Sequence, residues 1–402
     1  MIRGMRQTIA IAAVAMLLLA GCAGLAGNAP PSSPGGAPAT GGSGAGVGQQ
    51  GGPGQAGSSG SCDYTSVYDR TIDSVVAVQA NGGLGSGFVY RTDAGAAGGT
   101  GTAVGTGTST AAGTPTVTGT AYVVTNAHVV GDADSVLVQF AREESRPGTV
   151  VGRDRYTDLA VIRVDRAPGY ADALAVADAP PVHGQPVAAL GNPFGLEETI
   201  THGIVSGLNR SMPTQSGFAI PNVVQTDAPI SPGNSGGPLV TCEGTVVGVT
   251  SAGISAQGAE NIGFAISPTM VRQVVPTLIE RGAYDHAYLG VSTAPLTPPL
   301  VAANDLGVTR GVYVHRVVEG GPASGALSGS TGTAVQDGTE VPVGGDVIVA
   351  IDGRPIGSGE DLSSYLVTET RPGETVTITV VRGGERADVD VTLGTRPQPP
   401  AA

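Results

Sequence analysis

The sequence predicts a mainly β protein with two folded domains. Val, Thr and Gly are abundant, and 65 of the 402 residues are Gly. Long stretches with helical periodicity are few, whereas short apolar runs such as Tyr122-Val123-Val124 are typical of strands. The chain that follows the low-complexity N-terminal part is long enough for two domains.

Residues 1–21 have the pattern of a bacterial lipoprotein signal peptide. Arg3 and Arg6 precede the apolar stretch Ile9–Leu19, which is shorter than a typical transmembrane helix. The stretch ends in Leu19-Ala20-Gly21-Cys22, which predicts cleavage before Cys22 and lipidation of its thiol. We therefore expect an extracytoplasmic protein, lipid-anchored to the outer side of the cytoplasmic membrane or in the periplasm. An ordinary secretory signal with a coincidental cysteine is the alternative.

Two segments are of low complexity. Residues 22–61 are almost wholly Gly, Ala, Ser, Pro and Gln, a composition that cannot bury a core and predicts a disordered tether. Residues 92–120 lie between two predicted strands, which indicates an enlarged surface loop without chemistry of its own.

The run Gly83-Leu84-Gly85-Ser86-Gly87 superficially matches a phosphate-binding loop. The lysine of such a loop is missing, and Phe88-Val89-Tyr90 continues as a strand where a nucleotide-binding loop would open a helix. We interpret the run as the start of a strand, and we expect no cofactor.

Two polar residues at strand boundaries are candidates for general acid–base chemistry. His128 follows the apolar run at 122–124, so its imidazole would lie at the end of a buried strand. Asp158 precedes the apolar run Leu159–Val164, where a carboxylate could orient that imidazole. A lone histidine at a strand end is more often structural, so the prediction depends on a nucleophile elsewhere in the chain.

Ser235, within Gly233-Asn234-Ser235-Gly236-Gly237-Pro238, is the candidate nucleophile. Small neighbours allow a tight turn that exposes the hydroxyl and lets a scissile carbonyl approach. The backbone N–H groups of Gly233 and Ser235 could point at a developing oxyanion. The chain order His128, Asp158, Ser235 is that of chymotrypsin-type double barrels, whereas subtilisin-type and α/β-hydrolase enzymes use other orders.

Five segments resemble, in the same order, the HtrA (Deg) family of trypsin-fold proteases. They are Thr125–Val130, Asp158–Val164, Gly191–Gly195, Thr201–Ser206 and Gly233–Leu239. The resemblance runs from about Val67 to the C-terminus and implies a chymotrypsin-like double β-barrel followed by a PDZ domain. It implies His128 as general base, Asp158 as its orienting partner, Ser235 as nucleophile and the amides of Gly233 and Ser235 as the oxyanion hole. It also implies a homotrimer.

The resemblance places a serine protease domain at residues 62–282, a PDZ domain at 283–396 and a disordered tail at 397–402. A short helix at Pro268–Arg281 should end the first domain. In the second, Tyr288-Leu289-Gly290-Val291 resembles the loop whose amides capture a peptide carboxylate while the peptide adds a strand to the sheet. The later PDZ strands are matched by Gly311–Val314, Gly345–Gly353 and Val376–Arg382, with a longer loop than usual at residues 324–342. An unrelated small β-sandwich is the alternative.

The residues around the predicted substrate pocket are apolar. In tryptic enzymes an acid stands six residues before the nucleophile, at the base of the specificity pocket, whereas Pro229 and then Ile230 stand here. Ile262 and Phe264 belong to a segment that resembles the strand lining that pocket. We therefore expect cleavage after small or aliphatic residues.

Asn234 replaces the aspartate with which digestive relatives capture a new N-terminal ammonium. A neutral amide cannot form that ion pair, so activation by N-terminal processing is not expected. The resemblance implies instead that loops near residues 208–221 and 230–233 switch between ordered and disordered states.

Cysteines and histidines outside these motifs give weaker signals. Cys62 and Cys242 could pair as a disulfide in an extracytoplasmic protein, and free buried thiols are an equal alternative. The remaining histidines show no metal-ligand spacing, so we expect surface or structural roles and no metal site; they are His183, His202, His286 and His315.

Charge and motifs together favour one function. Without the two arginines of the signal, 18 basic residues face 33 acidic ones, a net charge near −15 that disfavours nucleic acid as a partner. The favoured function is a cell-envelope endopeptidase that degrades misfolded or damaged proteins and is regulated by peptide binding to its PDZ domain. The expected partners are unfolded polypeptides, protein C-termini and, through the lipid anchor, the membrane. A peptide-binding chaperone with secondary or no proteolysis is the alternative.

Overall fold

A computed structural model describes residues 62–80, 83–92, 119–192, 198–214, 219–231, 233–251 and 262–398. The predicted signal and tether, with the lipidation residue Cys22, lie outside these ranges, as does most of the enlarged loop predicted at 92–120. Among the helices of the described ranges, none combines the length and apolar character needed to cross a membrane.

Two closed antiparallel barrels form the N-terminal part of the described chain, which confirms the predicted double barrel. The first has the order β1-β2-β3-β6-β5-β4, with β1 (Val75–Ala80), β2 (Gly83–Thr92), β3 (Thr120–Asn126), β4 (Ser135–Gln139), β5 (Ser145–Asp154) and β6 (Leu159–Asp165). The second has the order β10-β11-β12-β9-β8-β7, with β7 (Pro186–Gly191), β8 (Thr199–Pro213), β9 (Ala219–Thr226), β10 (Pro238–Val240), β11 (Val246–Ser251) and β12 (Gly263–Ile266).

Short helices surround the barrels and the C-terminal sheet. Within the described residues they are α1 (Tyr64–Thr71), α2 (Ala127–Val130), α3 (Pro268–Arg281), α4 (Pro298–Ala303) and α5 (Gly359–Thr368). Helix α3 has the predicted bounds. The Ser267 side chain caps its start by accepting a hydrogen bond from the N–H of Met270, and Gly282 ends it in the left-handed conformation.

The apolar core of the barrels consists of separate clusters, because successive side chains along a strand point to opposite faces of the sheet. Val78 and Ile162 belong to a cluster inside the first barrel. Val224 and Leu239 belong to the corresponding cluster inside the second. A third cluster joins outward-facing residues of both barrels to helix α3, so the barrels are held together by a continuous apolar layer.

The C-terminal part has the predicted PDZ-type architecture, with a sheet packed on helices α4 and α5. Its strands are β13 (Ala287–Tyr288), β14 (Val291–Pro295), β15 (Val312–Val317), β16 (Ser330–Gln336), β17 (Thr339–Gly344), β18 (Val347–Ile351), β19 (Arg354–Pro355), β20 (Thr375–Arg382), β21 (Glu385–Thr392) and β22 (Gly394–Thr395). The main sheet has the order β14-β15-β18-β20-β21, which leaves β14 at its edge, and the predicted strands correspond to β15, β18 and β20.

Residues 324–342, predicted as a long loop, contain most of a β-hairpin instead. Strands β16 and β17 pair from Ser330↔Gly344 to Gln336↔Thr339. Asp337 and Gly338 form the turn with φ of 52° and 77°, which is the conformation that favours an Asp-Gly pair in two-residue hairpins.

Cys62 and Cys242 form a disulfide, with their Cα atoms 5.4 Å apart across a sequence separation of 180 residues. The sequence left a disulfide and free buried thiols as equal alternatives, and the structure has the disulfide. The bond ties Cys62, which precedes the N-cap residue of helix α1, to the turn that follows β10, in the second barrel.

Candidate active site

His128 and Asp158 are brought together by the pairing of β3 with β6. The register Asn126↔Leu159 places helix α2, which follows β3, beside the turn that precedes β6. Nδ1 of His128 lies 2.8 Å from Oδ2 of Asp158, and the backbone N–H of His128 donates to Oδ1 at 2.9 Å. The carboxylate therefore favours the tautomer with the proton on Nδ1, which leaves Nε2 as the basic nitrogen.

The backbone of Asp158 is held in a left-handed conformation, with φ of 57°. Its carbonyl accepts hydrogen bonds from the N–H of Ala127 and from Nδ2 of Asn126, both at 3.0 Å. The hydroxyl of Ser251 donates to Oδ2 at 3.2 Å. These contacts from both barrels stabilise a conformation that is uncommon for residues other than glycine.

The environment of His128 changes its pKa by opposing effects. Partial burial lowers the pKa of the imidazole, whereas the hydrogen bond and the negative charge of Asp158 raise it, and the net pKa is above the ordinary value of 6.5. The Asp158 carboxylate thus stabilises a positive charge on the imidazole.

The turn that carries Ser235 packs directly against the first barrel. The N–H of Ser86 donates to the carbonyl of Ser235 at 2.7 Å. Gly236 has φ of 87°, and a Cβ there would lie 2.2 Å from the carbonyl oxygen of Ser86 and 2.3 Å from Oγ1 of Thr125. Thr125 stands three residues before His128. The close approach that only glycine permits at 236 thus brings the Ser235 turn to the strand end that carries His128.

Asn234, the residue that departs from digestive relatives, is buried and held by hydroxyl groups. Oδ1 of its side chain accepts a hydrogen bond from Oγ1 of Thr199 at 3.0 Å, and its carbonyl accepts one from Oγ1 of Thr250 at 2.5 Å. The side chain of Asn234 is thus held by a neutral hydroxyl group.

The structure separates the predicted pocket residues Ile230 and Phe264. Ile230 packs with the cluster inside the second barrel, and a Cβ on Gly263 would lie 2.6 Å from its Cγ1. Phe264 is the next residue of β12 and packs instead against the cluster between the barrels. Because side chains alternate along a strand, Phe264 points away from the face on which Ile230 meets Gly263. Ile262 is exposed, and Pro229 accepts a hydrogen bond from Thr201 through its carbonyl.

The predicted carboxylate loop joins β13 to the edge strand β14. Leu289 is buried in the core of the C-terminal sheet. Its carbonyl accepts from the N–H of Ala323 at 3.1 Å, and that of Gly290 accepts from the N–H of Val318 at 2.8 Å. Gly290 is left-handed, with φ of 78°. Tyr288 and Val291, at the two ends, belong to β13 and β14.

His286 forms a buried pair that sequence reasoning did not identify. Its Nε2 lies 2.7 Å from Oδ2 of Asp154, and both side chains are 3% exposed. Asp154 also accepts from the N–H of Tyr156 at 3.0 Å and from Oγ1 of Thr157 at 2.5 Å. The residue just before β13 is thus attached to the turn that leads to Asp158. His286 and Asp154 are 132 positions apart in the sequence, and no motif joins them.

Comparison with known proteins supports the same arrangement of domains. The family described as trypsin-like peptidase domain matches residues 85–249, and the family described as PDZ domain matches residues 287–393. "Protease Do-like 1, chloroplastic" of Arabidopsis thaliana is 37% identical over 268 residues, which cover 66% of this chain and 59% of that protein. "Periplasmic pH-dependent serine endoprotease DegQ" of Escherichia coli is 34% identical over 265 residues, with 65% and 54% covered.

The match to a solved structure covers a larger share of the compared chain than the matches to these two relatives do. The structure of "HtrA-type protease AlgW with tripeptide" has a TM-score of 0.63 and 30% sequence identity, and the match covers 84% of this chain and 98% of that one. The chain spans a little over half the length of the curated relatives above.

Proposed function

The chain belongs to the HtrA (Do-like) family of serine proteases, and we propose that Ser235 is its nucleophile, His128 its general base and Asp158 the residue that orients the imidazole. The 2.8 Å contact between Nδ1 of His128 and Oδ2 of Asp158 carries this proposal. The packing of Gly236 against Thr125 and Ser86 supports it, because it brings the Ser235 turn to the same strand end.

The proposed reaction is acyl transfer to Ser235. Its Oγ attacks the scissile carbonyl while Nε2 of His128 accepts the hydroxyl proton, and Asp158 stabilises the imidazolium. The N–H groups of Gly233 and Ser235 donate to the oxyanion of the tetrahedral intermediate. The imidazolium then protonates the leaving amine as the C–N bond breaks. In the second half of the reaction, water attacks the acyl group while His128 accepts its proton. The bond to Ser235 breaks, and His128 returns the proton to the serine oxygen.

We propose the cell envelope as the place of action and misfolded or damaged proteins as substrates. The name of the Escherichia coli relative places that protein in the periplasm. The contact of Ile230 with Gly263 supports an apolar pocket and cleavage after small or aliphatic residues. Lipidation of Cys22, capture of peptide C-termini by residues 288–291 and assembly as a homotrimer belong to the same proposal.

Degradation of casein tests the nucleophile. The wild-type protein should degrade casein and become labelled by a fluorophosphonate at Ser235, whereas Ser235→Ala should do neither. Ser135→Ala, an exposed serine on β4, is the matched control and should behave as wild type. Equal casein loss by wild type and Ser235→Ala would exclude Ser235 as nucleophile. A wild-type protein that suppresses aggregation of casein without cutting it would favour the chaperone alternative.

A further inference from the structure

We propose that Ser86 is a positioning residue for the oxyanion hole, because its hydroxyl holds the peptide group between Gly233 and Asn234. This inference rests on the proposed function. Ser86 belongs to the glycine-rich run at residues 83–87, for which the sequence indicated nothing beyond the start of a strand. In the structure it lies on β2, in the first barrel, and its side chain is completely buried.

Ser86 holds the carbonyl groups of both residues whose amides are proposed to bind the oxyanion. Its Oγ donates to the carbonyl of Gly233 at 2.6 Å, and its backbone N–H donates to the carbonyl of Ser235 at 2.7 Å. The same Oγ accepts a hydrogen bond from the N–H of Asn192 at 2.8 Å. Because Oγ accepts from Asn192, its single proton is directed to Gly233.

The position of Ser86 is itself set by the residues around the site. Its carbonyl accepts from Oγ1 of Thr125 at 2.6 Å. A Cβ on Gly85 would lie 2.6 Å from Cγ2 of Val129, and a Cβ on Gly87 would lie 2.9 Å from the carbonyl oxygen of Val124. The two flanking glycines therefore let β2 approach the strand and helix next to His128, which places the Ser86 hydroxyl against the Ser235 turn.

Gly233 depends on hydrogen bonds to its own backbone: besides the contact with Ser86, the N–H of Asn234 in the same peptide group donates to the carbonyl of Ser231 at 3.0 Å. Gly233 has φ of 103°, a conformation open to glycine, and it carries no side chain that could lock it by packing. A hydrogen bond to its carbonyl fixes the peptide group between Gly233 and Asn234, which joins the two peptide groups that carry the oxyanion donors and restrains both of them through the chain. Since those donors bind the charge that develops in the transition state, the loss of this restraint should reduce kcat and leave substrate binding almost unchanged.

Ser86→Ala tests the proposal, because it removes the hydroxyl and retains the backbone N–H. With a short peptide substrate, kcat should fall about 10- to 100-fold while KM changes less than about 2-fold. The rate of fluorophosphonate labelling at Ser235 and the affinity for a peptide boronate should fall by similar factors, since both place an oxygen in the oxyanion hole. A structural role alone would not move these three quantities together.

Thr71→Val is the matched control, since Thr71 is also a buried residue whose hydroxyl donates to a carbonyl, in helix α1. It should keep the wild-type kcat. Ser86→Cys retains a side chain of similar size with a weaker donor and should have an intermediate kcat. If Ser86→Ala does not fold, the kcat of Ser86→Cys tests the role of the Ser86 hydroxyl in its place.

The outcomes separate this inference from the proposed function. A wild-type protein that fluorophosphonate leaves unlabelled at Ser235 would overturn both. If the wild type is labelled and Ser86→Ala, or Ser86→Cys in its place, keeps the wild-type kcat and labelling rate, only the role of Ser86 is wrong. A loss that appears in KM alone would also overturn it.

Discussion

At the scale of residues, the protonation of His128 depends on one carboxylate. Asp158 accepts hydrogen bonds from the ring and from the backbone of His128, and its charge raises the pKa of the imidazole above 6.5. A general base must be neutral to accept a proton, so this raised pKa determines the pH at which activity is lost on the acid side.

We predict that kcat/KM falls on the acid side with a midpoint above pH 6.5. The imidazole becomes protonated as the pH drops through its raised pKa, and a protonated imidazole cannot deprotonate Ser235. The measurement is a pH profile of kcat/KM with a short peptide, with circular dichroism over the same range to confirm that the fold persists. A midpoint at or below 6.5 in the folded protein would contradict the prediction.

Asp158→Asn should remove the effect that raises the pKa of His128 and should also favour the wrong tautomer. We expect kcat to fall on the order of 10⁴-fold, as in other triad enzymes, and the acid-side midpoint to move to lower pH. Asp165→Asn, which changes an exposed carboxylate at the other end of β6, is the control and should change neither. A residual midpoint at the wild-type pH would mean that another group titrates.

Some site residues could be predicted from sequence motifs, and others could not. His128, Asp158 and Ser235 were predicted because the reaction requires these residue types in local sequence patterns. Ser86 and Thr199 were missed, since a hydroxyl in a strand is common and its partner lies far along the chain. Ser86 and Gly233, for example, are 147 residues apart.

At the scale of elements, the disulfide links helix α1 to the second barrel. Cys62 stands just before the helix and Cys242 follows β10. A bond across a separation of 180 residues restricts the unfolded chain far more than it restricts the folded one.

We predict that the double variant Cys62→Ser and Cys242→Ser has a lower free energy of unfolding, by about 5 kcal/mol in the chain-entropy model. The measurement is denaturant unfolding with and without reductant. Reductant should bring the wild type to the midpoint of the variant and leave the variant unchanged. A wild-type midpoint that does not respond to reductant, after alkylation has confirmed reduction, would count against the prediction.

Elements with local signals were predicted accurately. Helix α3 has both its cap residues in sequence, and its bounds agree with the structure. The hairpin of β16 and β17 was predicted as a loop, although the Asp337-Gly338 pair at its turn is a hairpin signal. Its strands carry few apolar residues, so the alternation that indicates a strand is weak there.

At the scale of the whole molecule, contacts at two places among the described residues attach the PDZ part to the barrels. Helix α5 packs on the second barrel and on α3, where Nε2 of Gln273 donates to the carbonyl of Val367 at 2.9 Å. The second place is the buried pair of His286 and Asp154, next to the turn that leads to Asp158.

We predict that His286→Ala lowers the free energy of unfolding by about 3 kcal/mol, because it leaves the Asp154 carboxylate buried with one donor fewer. Denaturant unfolding measures the change. Asp178→Ala, which removes the exposed partner of Arg272, is the matched control and should change stability by less than about 1 kcal/mol. If His286→Ala and Asp178→Ala lower the free energy of unfolding by the same amount, the buried pair does not stabilise the attachment.

We also predict that a peptide with a free C-terminal carboxylate raises kcat/KM for a short substrate. The proposed carboxylate loop begins at Tyr288, two residues after His286, so occupancy of the loop acts close to the attachment. The same peptide with an amidated C-terminus is the control and should have no effect. No response to either peptide would exclude the predicted switching of the loops near residues 208–221 and 230–233 by this route.

The sequence by itself determined the fold class, the order of domains and the three residues of the proposed triad. Each of these follows from local information: alternation along strands, turn residues, and residue types that one reaction requires. Tertiary structure alone decided that Phe264 points away from Ile230, that Ser86 meets Gly233, and that His286 is buried against Asp154. Such contacts depend on strand register and on the packing of distant segments, which no local pattern in the chain encodes.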